Sequence, residues 1–205
     1  MSKMLLRFLL VVACLHICRS FVQEITFYTR PGSIWEAKTF TSKEPDLTLY
    51  QPLLADVTSY CARGFWRGFH WPNYHNFKFR TTAYDGNLFC ENVTLPTMMS
   101  LRYLGPLDVS TPSFSVYGGT YESNWGGEEK TFTGLRANDF GFPPKGITIT
   151  GGSSWTVFSN NNYTGTATCY NSSLLIYKRK SLKMDYVSGA RVPNVTGHGM
   201  LFMRY

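Results

Sequence analysis

Helical periodicity is nearly missing from this sequence. Few stretches space apolar residues three and four apart between capping signals, which argues against a helical bundle or an α/β enzyme. No glycine-rich loop runs into a helix, so there is no phosphate cradle for nucleotide chemistry. Acidic residues are scarce, 13 in 205, and no two stand in a glycosidase context. Glu128 and Glu129 follow Gly126-Gly127 in a turn region, where solvated charge is the ordinary reading. Beyond the leader only His70, His75 and His198 remain, and neither loop that holds them carries a nucleophile motif. His70 and His75 flank a hairpin as a candidate metal pair, against the plainer reading of loop histidines. An enzyme is therefore not expected.

The chain also lacks any long apolar run after its first 20 residues. Within Met1–Ser20, Lys3 and Arg7 precede the run LLVVACL, and Cys18 and Ser20 supply short side chains for cleavage. Residues 1–20 thus read as a secretory signal peptide, and no transmembrane segment is expected. Lys3, Arg7 and Arg19 leave with it, taking 20 basic residues to 17 against 13 acidic, a net charge of +4. So mild a charge in a secreted chain supports no nucleic-acid role.

Of five cysteines, Cys14 and Cys18 depart with the leader, leaving Cys61, Cys90 and Cys169. One pair and one remainder is the simplest oxidised arrangement. Cys61 and Cys90 fall in the same half of the chain and are the expected bridge. Cys169 is then a buried thiol or, less often, the link in a disulfide dimer. Four N-x-S/T sequons, at Asn92, Asn162, Asn171 and Asn194, fit passage through the secretory route and mark candidate glycosylation sites.

What is present in quantity is aromatic, β-branched and glycine-rich sequence in short repeated runs, which predicts an all-β fold. Gly151–Tyr170 reads as a hairpin in which Gly165 supplies positive φ and Tyr163 packs on the bend. Trp66 and Tyr74 repeat the spacing of Trp155 and Tyr163, with Asn76 standing where Gly165 stands; asparagine tolerates the left-handed region better than most residues. Trp35-Glu36-Ala37 before Lys38-Thr39-Phe40-Thr41 is matched by Trp125-Gly126-Gly127 before Lys130-Thr131-Phe132-Thr133. The order a, b, a, b marks a duplicated pair of motifs. ENVTLPTMMSLRY at Glu91–Tyr103 and PNVTGHGMLFMRY at Pro193–Tyr205 share Asn, Val, Thr, Met, Arg and Tyr in register, each a loop feeding a final strand. Leu104–Pro112 between them has the composition of a connector. The units are residues 21–107 and 108–205.

Four such hairpins, together with ITFY at Ile25–Tyr28 and SVYGG at Ser115–Gly119, resemble the βγ-crystallin family over essentially the whole mature chain. The resemblance implies two Greek-key β-sandwich domains of two packed sheets each. Ala37 and Asn76 depart from the family's glycine. It also implies a durable, closely packed protein with a structural or binding role outside the cell. Many members hold calcium through Asn/Asp-Asn/Asp-x-x-Ser/Thr-Ser before the even-motif tryptophan. Here the corresponding stretches are Leu53–Ser59, with Asp56 alone near the right place, and Gly141–Gly146, with a lysine and no carboxylate. Calcium is not expected as a cofactor, and a calcium-binding extracellular module stands as an alternative.

From the hairpin tryptophan to the final tyrosine the second unit carries thirteen extra residues, 50 positions from Trp155 to Tyr205 against 37 from Trp66 to Tyr103, all of them between hairpin and last strand, which places an inserted segment within 171–192. There Leu174–Tyr177 is followed by Lys178, Arg179, Lys180 and Lys183. Four cations in six residues suit anionic lipid, sulfated glycan or an acidic partner; a solvated loop or a charged strand end is the plain reading. Among Phe65, Trp66, Phe69, Trp71 and Tyr74, hairpin packing accounts for Trp66 and Tyr74. Trp71, beside Pro72 at the tip, is the candidate exposed anchor. With the basic run it supports a membrane- or glycan-binding defence factor as the alternative function.

Overall fold

The computed structural model describes residues 20–32, 34–81, 83, 86–120, 123–137, 139–160, 163–171 and 188–192. Residues 1–19 of the expected signal peptide, Asn162, Asn194 and the basic run Lys178–Lys183 lie outside them.

In the first half, β1 (Glu24–Arg30) and β2 (Ile34–Phe40) form an antiparallel hairpin. In β1, Ile25 and Phe27 point inward and are fully buried, while Glu24, Thr26 and Tyr28, which alternate with them, are half-buried, the period-two signature of a strand with one covered face. Next come β3 (Ser59–Arg63), β4 (Trp66–Trp71), β5 (His75–Arg80), β6 (Phe89–Asn92) and β7 (Ser100–Tyr103). They assemble as two antiparallel sheets, β2-β1-β3-β6 and β5-β4-β7. Between them lies a core that includes Phe27, Phe40, Tyr60, Trp66 and Leu101.

The chain passes from one sheet to the other at Gly64, whose φ is +94°; a Cβ there would stand 2.4 Å from Gln23 Oε1. Gln23 is itself fully buried and clamps the crossing. Its Oε1 accepts from the Phe65 N–H at 2.8 Å, and its Nε2 donates to the carbonyls of Leu104 and Pro106, both at 2.8 Å. One amide side chain thereby satisfies three backbone groups that the turn leaves without strand partners.

The second half repeats the plan with β8 (Ser113–Tyr117), β9 (Glu129–Phe132), β10 (Arg136–Ala137), β11 (Gly146–Thr150), β12 (Ser154–Asn160), β13 (Thr164–Asn171) and β14 (Ser188–Val192). The sheets are β11-β8-β9 and β10-β14-β12-β13. Their core is built on Phe114, Ile149, Trp155, Val157 and Tyr170. Gly151 (φ +68°) makes the crossing that Gly64 makes in the first half.

The predicted hairpin folds are present. Asn76 and Gly165 have φ of +60° and +80°, and Tyr74 and Tyr163 precede them at +66° and +58°. Each tyrosine ring packs edge-on against a phenylalanine on the preceding strand, Phe69 at 5.9 Å and Phe158 at 5.8 Å. Ring contact offsets the cost of holding a bulky residue in the left-handed region. The other motif pair diverges: Gly127 takes φ +64°, whereas Ala37 stays in strand β2 opposite Tyr28.

The last strand differs from expectation. The repeat at Pro193–Tyr205 placed it at the chain's end, but Ser188–Val192 occupies beside β12 the position that β7 occupies beside β4. Residues 193–205 lie outside the described residues. A shared motif records the kinship of two segments, whereas a place in a sheet is assigned by backbone pairing, which side-chain likeness does not encode.

Candidate functional site

Strand β4 does not alternate: Trp66, Arg67, Gly68 and Phe69 are all buried. Trp66 and Gly68 face the first core. Arg67 and Phe69 face the other way, onto the second half, so this sheet is covered on both sides. The seam so formed contains Phe65, Leu104, Tyr117 and, partly buried, Trp125.

Arg102 of β7 stands at its centre with no exposed surface. Its Nη1 donates to the Gly127 carbonyl at 2.8 Å and its Nη2 to the Trp125 carbonyl, both in the second half. The guanidinium carbon lies 4.4 Å from the ring centroid of Tyr74, 5.0 Å from Tyr117 and 5.6 Å from Phe69. A planar, weakly hydrated cation fits such a box where a lysine would not. Burial lowers the pKa of Arg102, and the nearby Glu129 carboxylate, 4.0 Å from Nη1, acts in the opposite direction.

Glu129 draws the two halves together from the other side. Its Oε1 accepts from Lys43 Nζ at 2.6 Å and from Tyr117 Oη at 3.1 Å. Lys43 Nζ also donates to the Gly105 carbonyl at 2.9 Å and sits over the Tyr103 ring at 4.7 Å. Burial lowers the Lys43 pKa, opposed by Glu129. The Tyr117 hydroxyl accepts from the Gly105 N–H at 2.8 Å, and burial raises its pKa well above the usual tyrosine range. Burial likewise pushes Tyr74 up to about 12. Burial disfavours ionisation of the Tyr74 and Tyr117 hydroxyls, and the seam's polar contacts run from one half of the chain to the other, with Arg102 Nε buried and without a hydrogen-bond partner.

The residues singled out from sequence are scattered around this seam. Trp71 ends β4 at 56% exposure. His75 is its cross-strand partner, so His70, one residue earlier on β4, points to the opposite face and the two imidazoles do not converge. His70 Nδ1 instead lies 3.1 Å from the Thr97 carbonyl. Cys61 and Cys90 are bridged across β3 and β6, at register-matched positions. Such a bond contributes about 3–4 kcal/mol for a loop of this size. Cys169 is exposed rather than buried, because it lies on the edge strand β13 opposite Thr156, on the face turned from the core. Asn92 is exposed at the end of β6, its Oδ1 accepting from the Gly32 N–H at 3.2 Å; Asn171 is the last residue of β13.

Calcium does not fit the residues that stand at the family's positions. Leu54 and Val57 are buried in the first core, and the Ser59 hydroxyl is spent on the Arg30 carbonyl at 2.7 Å. Asp56 alone offers a carboxylate there, at the end of the helical turn Gln51–Ala55. In the second half Phe142 packs on the core and Lys145 is exposed. A hard cation needs several convergent oxygens, and a lysine in their place repels it. Among the described residues no three His, Cys, Asp or Glu side chains gather at one point.

No family model matches the sequence, and no curated protein matches it. The fold does have known counterparts. Geodin, a βγ-crystallin from Geodia cydonium, aligns over 84% of this chain and 100% of its own, with a TM-score of 0.56 at 16% identity. Two sandwiches with paired left-handed hairpin bends, and this structural match across most of the chain, establish that the chain has the βγ-crystallin fold.

Proposed function

We propose that this chain is a secreted, glycosylated, non-enzymatic protein of two βγ-crystallin-like units, residues 21–107 and 108–205, with a structural or binding role outside the cell. The observation that carries the reading is the seam. The charge buried at the seam joins one half to the other: Arg102, fully buried, donates to the Gly127 and Trp125 carbonyls, and Lys43 pairs with Glu129. The Cys61–Cys90 bridge fits an oxidising compartment. No helix among the described residues is long and apolar enough to cross a membrane.

Expression of the full chain in glycosylating eukaryotic cells tests it. The expected product is found in the medium, begins at Phe21 and loses mass on glycosidase treatment. A chain kept in the cytosol with Met1 intact would refute the proposal. Covalent dimers through the exposed Cys169 belong to the same reading and are read on non-reducing gels against Cys169→Ser.

Exposed Trp71 favours a second reading, a membrane- or glycan-binding defence factor that uses this ring together with Lys178, Arg179, Lys180 and Lys183. It requires leakage of anionic vesicles or retention on heparin, either of them lost when the four cations are neutralised. Neither effect in the unaltered protein would dismiss it. For the calcium alternative, millimolar calcium is expected to leave the melting temperature unchanged. A rise of several degrees would show a bound ion, since ligand binding to the native state alone raises stability.

A further inference from the structure

The residues that follow the leader are built into the junction of the two halves. Val22 pairs antiparallel with Asp108 of the connector, the Phe21 carbonyl accepting from the Val109 N–H at 3.2 Å and the Gln23 N–H donating to the Leu107 carbonyl at 2.9 Å. Phe21 is buried with Phe65, Leu104 and Tyr117 in the apolar part of the seam. Gly86 lies against its ring, since a Cβ there would stand 2.7 Å from Phe21 Cδ1. Within that apolar cluster Tyr117 is the one titratable side chain, and its hydroxyl is engaged with Gly105 and Glu129. Glu24, farther along the strand, pairs with Arg63 at 3.4 Å.

A carboxylate stands where this short ribbon meets the leader. Val22 and Asp108 are opposite each other, and Ser20 is two residues before Val22, so the three side chains share one face. Asp108 Oδ1 accepts from the Ser20 hydroxyl at 3.3 Å, besides the Ser110 hydroxyl at 2.7 Å and the Ser110 N–H at 2.8 Å. Those bonds from Ser110 hold the Asp108 carboxyl below its usual range and fix its position. It therefore stands charged and in place beside the last residue of the expected leader.

The mature protein loses the Ser20 hydroxyl and gains a charge one residue on. Hydrolysis of the Ser20–Phe21 amide by water leaves a carboxylate on the departing leader and an ammonium on Phe21. We propose that this ammonium takes the place of the Ser20 hydroxyl on Asp108, so that removing the leader creates an ion pair that pins the start of the first half to the connector. An uncut chain has no charge to offer there. The Phe21 backbone is already paired with Val109 and its ring already buried, so the ammonium gives up little freedom on pairing. The inference rests on the proposed cleavage after Ser20.

The test uses the full secreted chain, and N-terminal sequencing first reports where it begins. In a chain that begins at Phe21, labelling the α-amine with 13C-methyl groups and titrating it by NMR reads the pair directly. The amine is expected to titrate about half a pH unit above its ordinary value of about 8. It should return to that value in Asp108→Asn, whose amide oxygen still accepts from Ser110. A heterologous leader that leaves glycine and Ser20 ahead of Phe21 moves the charge two residues away and supplies a form with Asp108 intact, should Asp108→Asn fail to fold. Each change is expected to lower the melting temperature at neutral pH by about 2 °C, and both together by no more than either alone. Because the pair raises the amine pKa, this advantage is present at and below neutral pH and fades as pH rises through the raised value. An ordinary amine pKa at Phe21, or losses that add, overturns the inference alone. A chain that begins elsewhere overturns the cleavage reading and this inference with it.

Discussion

Arg102→Met is expected to destabilise the protein by about 3 kcal/mol and to split one unfolding transition into two. Methionine roughly fills the volume but can satisfy neither the Gly127 nor the Trp125 carbonyl, and it withdraws the cation from three ring faces. Glu129 keeps Lys43 and Tyr117 as partners, so the loss falls short of that for a carboxylate left alone in the interior. Arg102→Lys is not expected to rescue, because an ammonium cannot reach two divergent carbonyls from one plane. Calorimetry with urea unfolding followed by tryptophan emission checks both effects. A single transition shifted by less than about 1 kcal/mol would show that the seam is an accompaniment to coupling and not its cause.

The second large effect belongs to Trp155→Ala, expected to cost about 4 kcal/mol and to unfold the second half first. Trp155 has no exposed surface, stacks on Phe114 at a centroid distance of 5.0 Å, and donates from Nε1 to the Ser153 hydroxyl at 3.1 Å. Its removal leaves both a cavity and a buried hydroxyl with one donor fewer. Set against the 5–15 kcal/mol typical of a whole domain, that loss is decisive. Hydrogen exchange resolves where it falls: amides of β11 and β12 should lose protection well before those of β3 and β4. Trp66→Ala should show the reverse order, since Trp66 occupies the matching place in the first core. Equal loss across both halves in either variant would contradict two separate cores.

Much of the fold was legible because its signals are local. Asn76 and Gly165 could be matched from sequence alone, since a left-handed residue two positions after a tyrosine needs only its own steric tolerance. Trp66 and Trp155 could be assigned to packing by size and spacing, and both are fully buried. The bridge between Cys61 and Cys90 followed from an odd count and a shared half. The candidate site was far less visible. Glu129 reads as solvated turn charge, and nothing in the sequence marks Arg67, Arg102 or Lys43, because each partner lies far along the chain. One signal was available: Arg67 and Phe69 lie on the face of β4 opposite Trp66, and an aromatic there hints that both faces of the strand are covered.

Cys169 and the last strand went astray for related reasons. Whether a thiol on a strand is buried depends on what covers that sheet face, and among the described residues no third unit packs on the outer face of β12 as the second half packs on β4. Whether SGARV or a later stretch lies beside β12 is a contest for backbone partners, and likeness between PNVT and ENVT does not enter it.

The sequence by itself determined the strand periodicity, the left-handed bends and the two tryptophan-centred cores, since each follows from the steric and apolar character of residues close together in the chain. Only the tertiary structure decided that one sheet face of the first half would become a seam, with Arg102 buried among rings and carbonyls of the second. Burying a guanidinium is favourable only where several distant groups converge to replace its water, and no short stretch of sequence contains that convergence.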